Sequence, residues 1–129
     1  MNIIIDFFKN DLIQAIGAGI YEISIYKNNK STVLYIGESV FVLVRCASHL
    51  YELKKNPEYF GFTKDTIEDS SITLKFRLIK KEDDRTLRKK IEKELIKENK
   101  PLSQSGISDH QKSVEEKILS LTYFLDSNF

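Results

Sequence analysis

Two short runs of β-branched and aromatic residues, joined by a polar turn, most constrain the fold of this chain. The runs occupy residues 20–26 and 32–36, and the sequence Lys-Asn-Asn-Lys lies between them at 27–30. β-Branched and aromatic side chains favour extended strands, and asparagine tolerates the backbone conformations that tight turns require. The pattern therefore predicts a β-hairpin.

Amphipathic helices are predicted on both sides of this hairpin. Before it, apolar residues at every fourth position predict an N-terminal helix over about residues 3–16: Ile4, Phe8, Leu12 and Ile16. After it, residues 40–55 carry an apolar stripe at helical spacing: Leu43, Cys46, Leu50 and Leu53. Because Pro57 disfavours helix in the residue before it, this second helix should end near residue 55.

The second half of the chain predicts a loop, a third strand and two more helices. Residues 56–70 are polar and predict a loop, whereas residues 71–79 alternate apolar and polar side chains as a strand does. Asp83 or Asp84 can cap a helix that runs to about Asn99, with an apolar stripe of Leu87, Ile91 and Leu95. A linker rich in Ser and Gly follows. A capping box of Ser113 and Glu116 then predicts a C-terminal helix over about residues 113–126.

These elements predict one domain over residues 1–129 of the α+β class. Its sheet would be small and three-stranded, antiparallel or mixed, and flanked by helices. A chain of 129 residues is long enough to bury one core.

Composition narrows the possible functions only a little. The formal net charge of +1 is low for a nucleic-acid-binding protein, although basic residues are concentrated between residues 75 and 90. That cluster predicts either a phosphate-binding track or an ordinary solvated surface. The lone Cys46 excludes an intrachain disulfide framework and fits a reducing compartment. We read no signal peptide and no membrane span, and therefore expect a cytoplasmic protein that does not bind membranes.

Two tyrosines on the hairpin are the first candidates for chemistry. If a three-residue turn pairs Tyr26 with Lys30, Tyr21 lies directly opposite Tyr35 and both hydroxyls emerge on one face. Aromatic residues are common in strands, so both side chains could instead be structural.

A cation and an imidazole follow on the next helix. Arg45 and His49 are one helical turn apart and should project from the face opposite the apolar stripe. A guanidinium suits phosphate oxygens, and an imidazole can exchange a proton near neutral pH. The alternative is two exposed polar residues without a role.

Glu92 is the candidate metal ligand. It neighbours the predicted buried residue Ile91 and could face the edge of the sheet, or it could form an ordinary surface salt bridge with Arg88. Carboxylate oxygens suit Mg²⁺ or Mn²⁺, and Mg²⁺ typically takes few protein ligands and several waters. One carboxylate, one guanidinium, one imidazole and two phenols are the groups that a single-metal phosphodiesterase needs.

The sequence resembles the GIY-YIG nuclease superfamily in these residues. The tripeptides that name the family are intact at residues 19–21 and 35–37. Arg45 and His49 stand eight and twelve residues after Gly37, as the arginine and the common histidine or tyrosine of the family do. Glu92 stands three residues before a Leu-Ile pair, as the family's metal-binding glutamate does. The likeness covers about residues 19–104.

The resemblance implies a Mg²⁺- or Mn²⁺-dependent endonuclease that hydrolyses phosphodiester bonds in DNA. Glu92 would hold the metal, Arg45 would stabilise the charge on the scissile phosphate, and Tyr21 would act as general base. Tyr35 and His49 would assist, and the roles of the two tyrosines could be exchanged. Gln104 would complete the catalytic set. The expected substrate-binding residues are Arg45, Lys75, Arg77 and Arg88.

Two departures from the family pattern leave other functions open. Gln104 stands where many members carry asparagine, and Glu38 adds a negative charge directly after Gly37. The chain could therefore be a catalytically impaired module that still binds nucleic acid. It could also be an interaction subunit that forms a homodimer, or binds a partner protein, through its terminal helices.

Overall fold

A computed structural model describes residues 1–9, 12–104 and 113–126 of the chain. The fold is α+β, as expected, and is built on a mixed sheet of four strands in the order β1-β4-β2-β3. The strands are β1 (Asn2–Ile5), β2 (Gly19–Lys27), β3 (Lys30–Ser39) and β4 (Ile72–Lys81). The helices in the described ranges are α1 (Leu12–Ala15), α2 (Val42–Lys55), α3 (Lys64–Glu68), α4 (Arg85–Asn99) and α5 (Val114–Asp126). Short 3₁₀ helices occupy Asp6–Phe8 and Pro57–Phe60.

The N-terminal segment corrects the sequence-based expectation. The predicted helix over residues 3–16 is wrong for residues 3–8, where Asn2–Ile5 form a strand that pairs in parallel with β4 and a 3₁₀ helix follows. Three consecutive isoleucines, whose β-branched side chains are restricted in χ1, favour an extended backbone. The parallel pairing with β4 gives that backbone hydrogen-bond partners. The sheet therefore has a fourth strand that the sequence did not predict.

The hairpin forms where it was predicted, but its register differs. Lys27 pairs with Lys30, so the turn has two residues, and Asn28 adopts a left-handed φ of 58°. A β-bulge at Leu34 then shifts the pairing, since Ile23 lies opposite Tyr35 and Ser24 opposite Val33. Tyr21 consequently lies opposite Gly37 and not opposite Tyr35. Because the difference is two residues, both tyrosines still share one face of the sheet.

Helices cover the two faces of the sheet unequally. On the first face, α2, α5 and the 3₁₀ helix Pro57–Phe60 bury the main core together with the side chains of Ile23, Ile25 and Phe76. On the second face, α4 packs Ile96 against Ile20 and Ile36. None of the described helices is long and apolar enough to cross a membrane.

The inward faces of α2 and α4 both differ from the predicted stripes. In α2, the buried residues are Val42, Cys46, His49 and Leu53, so a histidine takes a core position. In α4, Asp84 caps the helix as predicted, but the buried residues are Arg88, Glu92 and Ile96. The predicted stripe is displaced by one position, and Leu87 is 40% exposed. Charged side chains face the sheet here because β3 supplies partners for them.

The C-terminal helix α5 begins with the predicted capping box, in which Ser113 and Glu116 exchange side-chain to backbone hydrogen bonds. Its buried residues are Lys117 and Leu121. The backbone of Lys117 lies so close to Gly61 that a Cβ at Gly61 would approach it to 2.7 Å. Gly61 also has a left-handed φ of 88°, so glycine suits this position on two counts. Most of the Ser- and Gly-rich linker that was predicted before α5 lies outside the described residues.

Candidate active site

Tyr21 and Tyr35 form a stacked pair at the end of the hairpin where Gly37 lies. Their ring centroids are 6.3 Å apart and their planes differ by 21°. Tyr21 lies directly over Gly37, where a Cβ would come within 2.6 Å of the Tyr21 Cζ. The absence of a side chain at Gly37 therefore gives the Tyr21 phenol the space that it occupies.

His49 joins the tyrosines from α2. Its imidazole is 2% exposed, its Nε2 lies 2.7 Å from the Tyr21 hydroxyl, and its ring centroid lies 4.8 Å from that of Tyr35. The expectation that Arg45 and His49 both face away from the core is wrong for His49. Because Tyr21 is itself buried, its hydrogen bond to His49 satisfies two polar groups that water cannot reach.

The pKa values fix the protonation states of the two groups in this hydrogen bond. Burial, with a smaller contribution from Tyr35, raises the pKa of Tyr21 well above its usual range. Burial, followed by the positive charge of Arg45, lowers the pKa of His49 to about 3. At neutral pH the phenol is therefore protonated and the imidazole is neutral, and the Tyr21 hydroxyl donates to His49 Nε2 when the imidazole proton is on Nδ1.

Arg45 lies on the exposed face of α2 and interacts with the hydroxyls of both tyrosines. Partial burial acts to lower the pKa of Arg45, but hydrogen bonding and charge interaction with Tyr21 and Tyr35 outweigh it and raise the pKa. Burial, followed by interaction with Tyr59, raises the pKa of Tyr35 to about 12. Arg45 therefore remains a fixed cation at the solvent-exposed side of two protonated phenols.

Glu92 reaches the same region from α4. Its carboxylate accepts a hydrogen bond from the backbone N–H of Glu38 and interacts electrostatically with Arg45 and Tyr21. Burial, followed by the charge of Glu38, raises the pKa of Glu92 to about 7. A buried carboxylate whose charge is destabilised in this way is one that a bound cation would stabilise.

Glu38 is held by α4. Its carboxylate accepts hydrogen bonds from Arg88 Nε at 2.8 Å and from Lys89 Nζ at 3.1 Å. Partial burial opposes this charge, but Arg88 and Lys89 outweigh it and lower the pKa of Glu38. The charge that Glu38 adds after Gly37 is therefore paired with two cations of α4. Arg88, one of the expected substrate-binding residues, is buried and serves as the partner of Glu38.

Two other expected substrate-binding residues lie elsewhere. Lys75 and Arg77 project from the second face of the sheet, because in β4 they alternate with the core residues Leu74 and Phe76. Arg77 pairs with Glu22 at 2.8 Å, and Lys75 lies 3.9 Å from an Asp6 oxygen. The structure does not bring either cation together with the tyrosine pair.

Gln104 is buried and completes the edge of β3. Its Oε1 accepts a hydrogen bond from Ile36 N at 3.0 Å, and its Nε2 donates to Ile36 O at 2.9 Å. Leu102 and Ser103 also donate backbone hydrogen bonds to β3, at Val33 and Leu34. Gln104 therefore holds the backbone of β3 at Ile36, between Tyr35 and Gly37, and its amide has a structural part in the site.

Sequence reasoning missed the aromatic residues beside the site. Tyr59 and Phe60 lie in the segment that was read as a polar loop, and their ring centroids lie 6.4 Å and 5.6 Å from that of His49. The Tyr59 and Tyr35 hydroxyls are hydrogen-bonded to each other. The signal was present as three aromatic residues within Tyr59–Phe62, although nothing in the sequence linked them to the hairpin.

Glu92 is the residue of this site that the sequence predicted as a metal ligand. In the described part of the chain, no group of three or more His, Cys, Asp or Glu side chains could hold an ion. A single carboxylate fits Mg²⁺ or Mn²⁺ when water and substrate phosphate complete the coordination, and does not fit a protein-enclosed zinc site. Comparison with known proteins adds no relative, since no protein-family model, curated protein or solved structure matches the chain.

Proposed function

We propose that this chain is a metal-dependent endonuclease that hydrolyses phosphodiester bonds in DNA, with a GIY-YIG type of site. The observation that carries the proposal is that residues from three different segments of the chain meet around Gly37. The hairpin contributes two phenols, α2 contributes a guanidinium and an imidazole, and α4 contributes a buried carboxylate: Tyr21, Tyr35, Arg45, His49 and Glu92.

Arg45 is the group that binds the scissile phosphate. Its charge is permanent and lies on the solvent-exposed side of the tyrosine pair, so a phosphate oxygen can approach it without displacing core residues. Its donors would stabilise the negative charge that develops on the phosphate during attack by water.

Tyr21 and His49 form the proton path. The phenol is protonated in the free protein, so it accepts a proton from the attacking water only while passing its own proton to His49 Nε2, 2.7 Å away. The low pKa of His49 keeps the imidazole neutral at neutral pH, and in the tautomer with its proton on Nδ1 the Nε2 atom accepts that proton. The water then forms the new P–O bond, and the leaving alkoxide takes a proton from solvent.

A divalent cation at Glu92 would supply positive charge for the phosphate oxygens and the leaving group. The role of Glu92 itself is to present a carboxylate close to Arg45 and to the backbone of Glu38. Gln104 fixes the same strand two residues earlier, at Ile36. We also propose that the protein acts in the cytoplasm, because a chain with a single cysteine has no intrachain disulfide and fits a reducing compartment.

Nicking of supercoiled plasmid DNA by the purified protein in Mg²⁺ tests this proposal. Glu92→Gln and Arg45→Ala should each reduce the rate about 100-fold or more. Glu94→Gln and Arg85→Ala are matched controls on exposed positions of α4 and should leave the rate unchanged. Undiminished nicking by Glu92→Gln would refute the metal assignment, and no nicking by the unaltered protein in Mg²⁺ or Mn²⁺ would refute the activity.

A second candidate is a nucleic-acid-binding or interaction module with impaired catalysis. It is favoured by the raised pKa values of both tyrosines and by the use of the Gln104 amide in the sheet. Helix α5 also presents Leu119 and Tyr123, which are 70% and 72% exposed and suit contact with a second copy or a partner. This candidate predicts salt-sensitive DNA binding without cleavage in any metal.

A further inference from the structure

A groove extends from the tyrosine pair along α2. It has a volume of about 240 Å³ and is lined by Arg45, Ser48, His49, Glu52 and Tyr59. Two of these residues belong to the site described above, and the other three have no role in the proposed chemistry. The groove therefore offers room for a part of the substrate that lies beyond the scissile phosphate.

Along α2, the groove carries a hydrogen-bond donor group at Arg45 and an acceptor group at Glu52. Arg45 and Glu52 are seven residues apart, which is two helical turns and about 10 Å along the axis. Arg45 suits a phosphate, whereas the two oxygens of the Glu52 carboxylate can accept hydrogen bonds from two adjacent N–H donors. Within the described residues, this half-buried carboxylate has no ion-pair or hydrogen-bond partner. A ligand with a phosphate at one end and N–H donors at the other would match this wall.

The groove is also lined by Tyr59, whose ring is held in position by its neighbours. Phe60 packs edge-on against Tyr59 at 4.9 Å between ring centroids. Lys117 Nζ lies 4.7 Å from the Tyr59 centroid and donates a hydrogen bond to the Tyr59 carbonyl at 2.8 Å. Helix α5 thus anchors the ring beside the groove. Aromatic rings in a groove are surfaces on which unpaired nucleobases stack, and a base would stack on the face of Tyr59 that Lys117 does not cover.

We propose that the groove binds an unpaired guanine base next to the scissile phosphate, with its ring against Tyr59 and its Watson–Crick edge on Glu52. Guanine presents two adjacent donors on that edge, N1–H and the 2-amino group, and a carboxylate accepts both. This inference rests on the proposed function, because Arg45 is taken to bind the phosphate of the same strand. It makes the substrate a nucleic acid in which a guanine is single-stranded, bulged or turned out of the duplex.

Titration of the ¹⁵N-labelled full chain with mononucleotides tests the groove directly. Deoxyguanosine and deoxyinosine monophosphate differ only in the 2-amino group. Deoxyguanosine monophosphate should shift the amides of Ser48, Glu52 and Tyr59 and bind at least about fivefold more tightly than the inosine nucleotide. Equal affinities, or shifts confined to residues outside the groove, would overturn the proposal.

Variants identify the residues responsible. Glu52→Gln should remove most of the preference for guanine, whereas Glu58→Gln, at an exposed glutamate of the neighbouring 3₁₀ helix, should retain it. Tyr59→Leu should weaken both nucleotides about fivefold or more and leave their ratio unchanged, because stacking does not depend on the 2-amino group. An unchanged preference in Glu52→Gln would contradict the assigned acceptor.

The nucleotide titration and the plasmid assay test two separate claims, the base site and the endonuclease activity. If the protein binds the guanine nucleotide in the groove but never nicks DNA, the proposed endonuclease activity is wrong and the base site stands. If it nicks DNA in Mg²⁺ but does not distinguish the two nucleotides, the activity stands and the base site is wrong.

Discussion

Acidification should destabilise this protein through His49. The imidazole is buried beside Tyr21, and its pKa is lowered to about 3 by burial and then by Arg45, whereas an unfolded histidine has a pKa of about 6.5. Between these two values the unfolded chain takes up a proton that the folded chain does not. The contribution of His49 to stability is therefore full above pH ~6.5 and is lost as the pH falls below that value.

The size of the effect follows from the difference in pKa. At pH 5 the solution lies about 1.5 units below the unfolded pKa, and each unit corresponds to about 1.36 kcal/mol. The folded histidine is still neutral at pH 5, because its pKa is about 3. The unfolding free energy should therefore fall by about 2 kcal/mol between pH 7 and pH 5 through this one residue.

Urea unfolding at pH 7 and pH 5 measures this loss against a variant that cannot titrate. His49→Gln removes the ionisable ring, while Glu92 and the other carboxylates remain in both proteins. The unaltered protein should lose about 2 kcal/mol more than His49→Gln over this interval. Equal losses in the two proteins would refute a neutral His49 in the fold, and with it the proton path from Tyr21.

Four substitutions test the framework of the site and the face of the sheet that binds DNA. Gly37→Ala should lower the unfolding free energy in urea by about 1–3 kcal/mol, because the new Cβ meets the Tyr21 ring. If the loss in the double variant Gly37→Ala, Tyr21→Ala equals the sum of the two single losses, this contact is contradicted. Gln104→Leu should lower the unfolding free energy by about 2 kcal/mol or more, because it leaves the buried N–H and C=O of Ile36 without partners. The control Gln14→Leu, at an exposed position, should lower it by less than about 0.5 kcal/mol. Lys75→Gln and Arg77→Gln should nick plasmid DNA at the unaltered rate, and a large loss would place the DNA on the second face of the sheet.

Local chemistry made the hairpin predictable and left its register open. The β-branched residues predict the two strands, and Asn28 and Asn29 between them predict the turn. The bulge at Leu34 has no marker in the sequence, because leucine fits regular and bulged strands alike. The two-residue turn and the bulge together shift Tyr21 from Tyr35 to Gly37. The tyrosines still share a face, so the pair was predicted correctly although its geometry was not.

Buried charges explain the errors in α2 and α4. Reading polar side chains as outward-facing places Arg88 in solvent and leaves Glu92 either at the sheet edge or in a surface salt bridge, whereas Glu38 on a separate strand supplies the partners that allow both to be buried. His49 is buried for the same reason, since the Tyr21 hydroxyl satisfies its nitrogen. Patterns within one helix do not reveal partners that lie on another element.

The N-terminal strand shows the same limitation over a longer distance. Apolar residues at every fourth position fit a helix as well as they fit Ile3–Ile5 followed by a turn. Pairing with β4, some 70 residues later, favours the strand. Parallel pairing between distant segments leaves no local turn signal of the kind that identified the hairpin.

A crystal of the protein soaked in Mn²⁺ tests the central claim most directly. The claim is that Glu92 holds a catalytic cation at the site formed by Tyr21, Tyr35 and Arg45. We expect one strong anomalous peak bound by the Glu92 carboxylate, with the two hydroxyls and the guanidinium within a hydrogen bond or one water of the ion or its waters. The absence of a peak at Glu92, while Mn²⁺ occupies other carboxylates of the chain, would contradict the account.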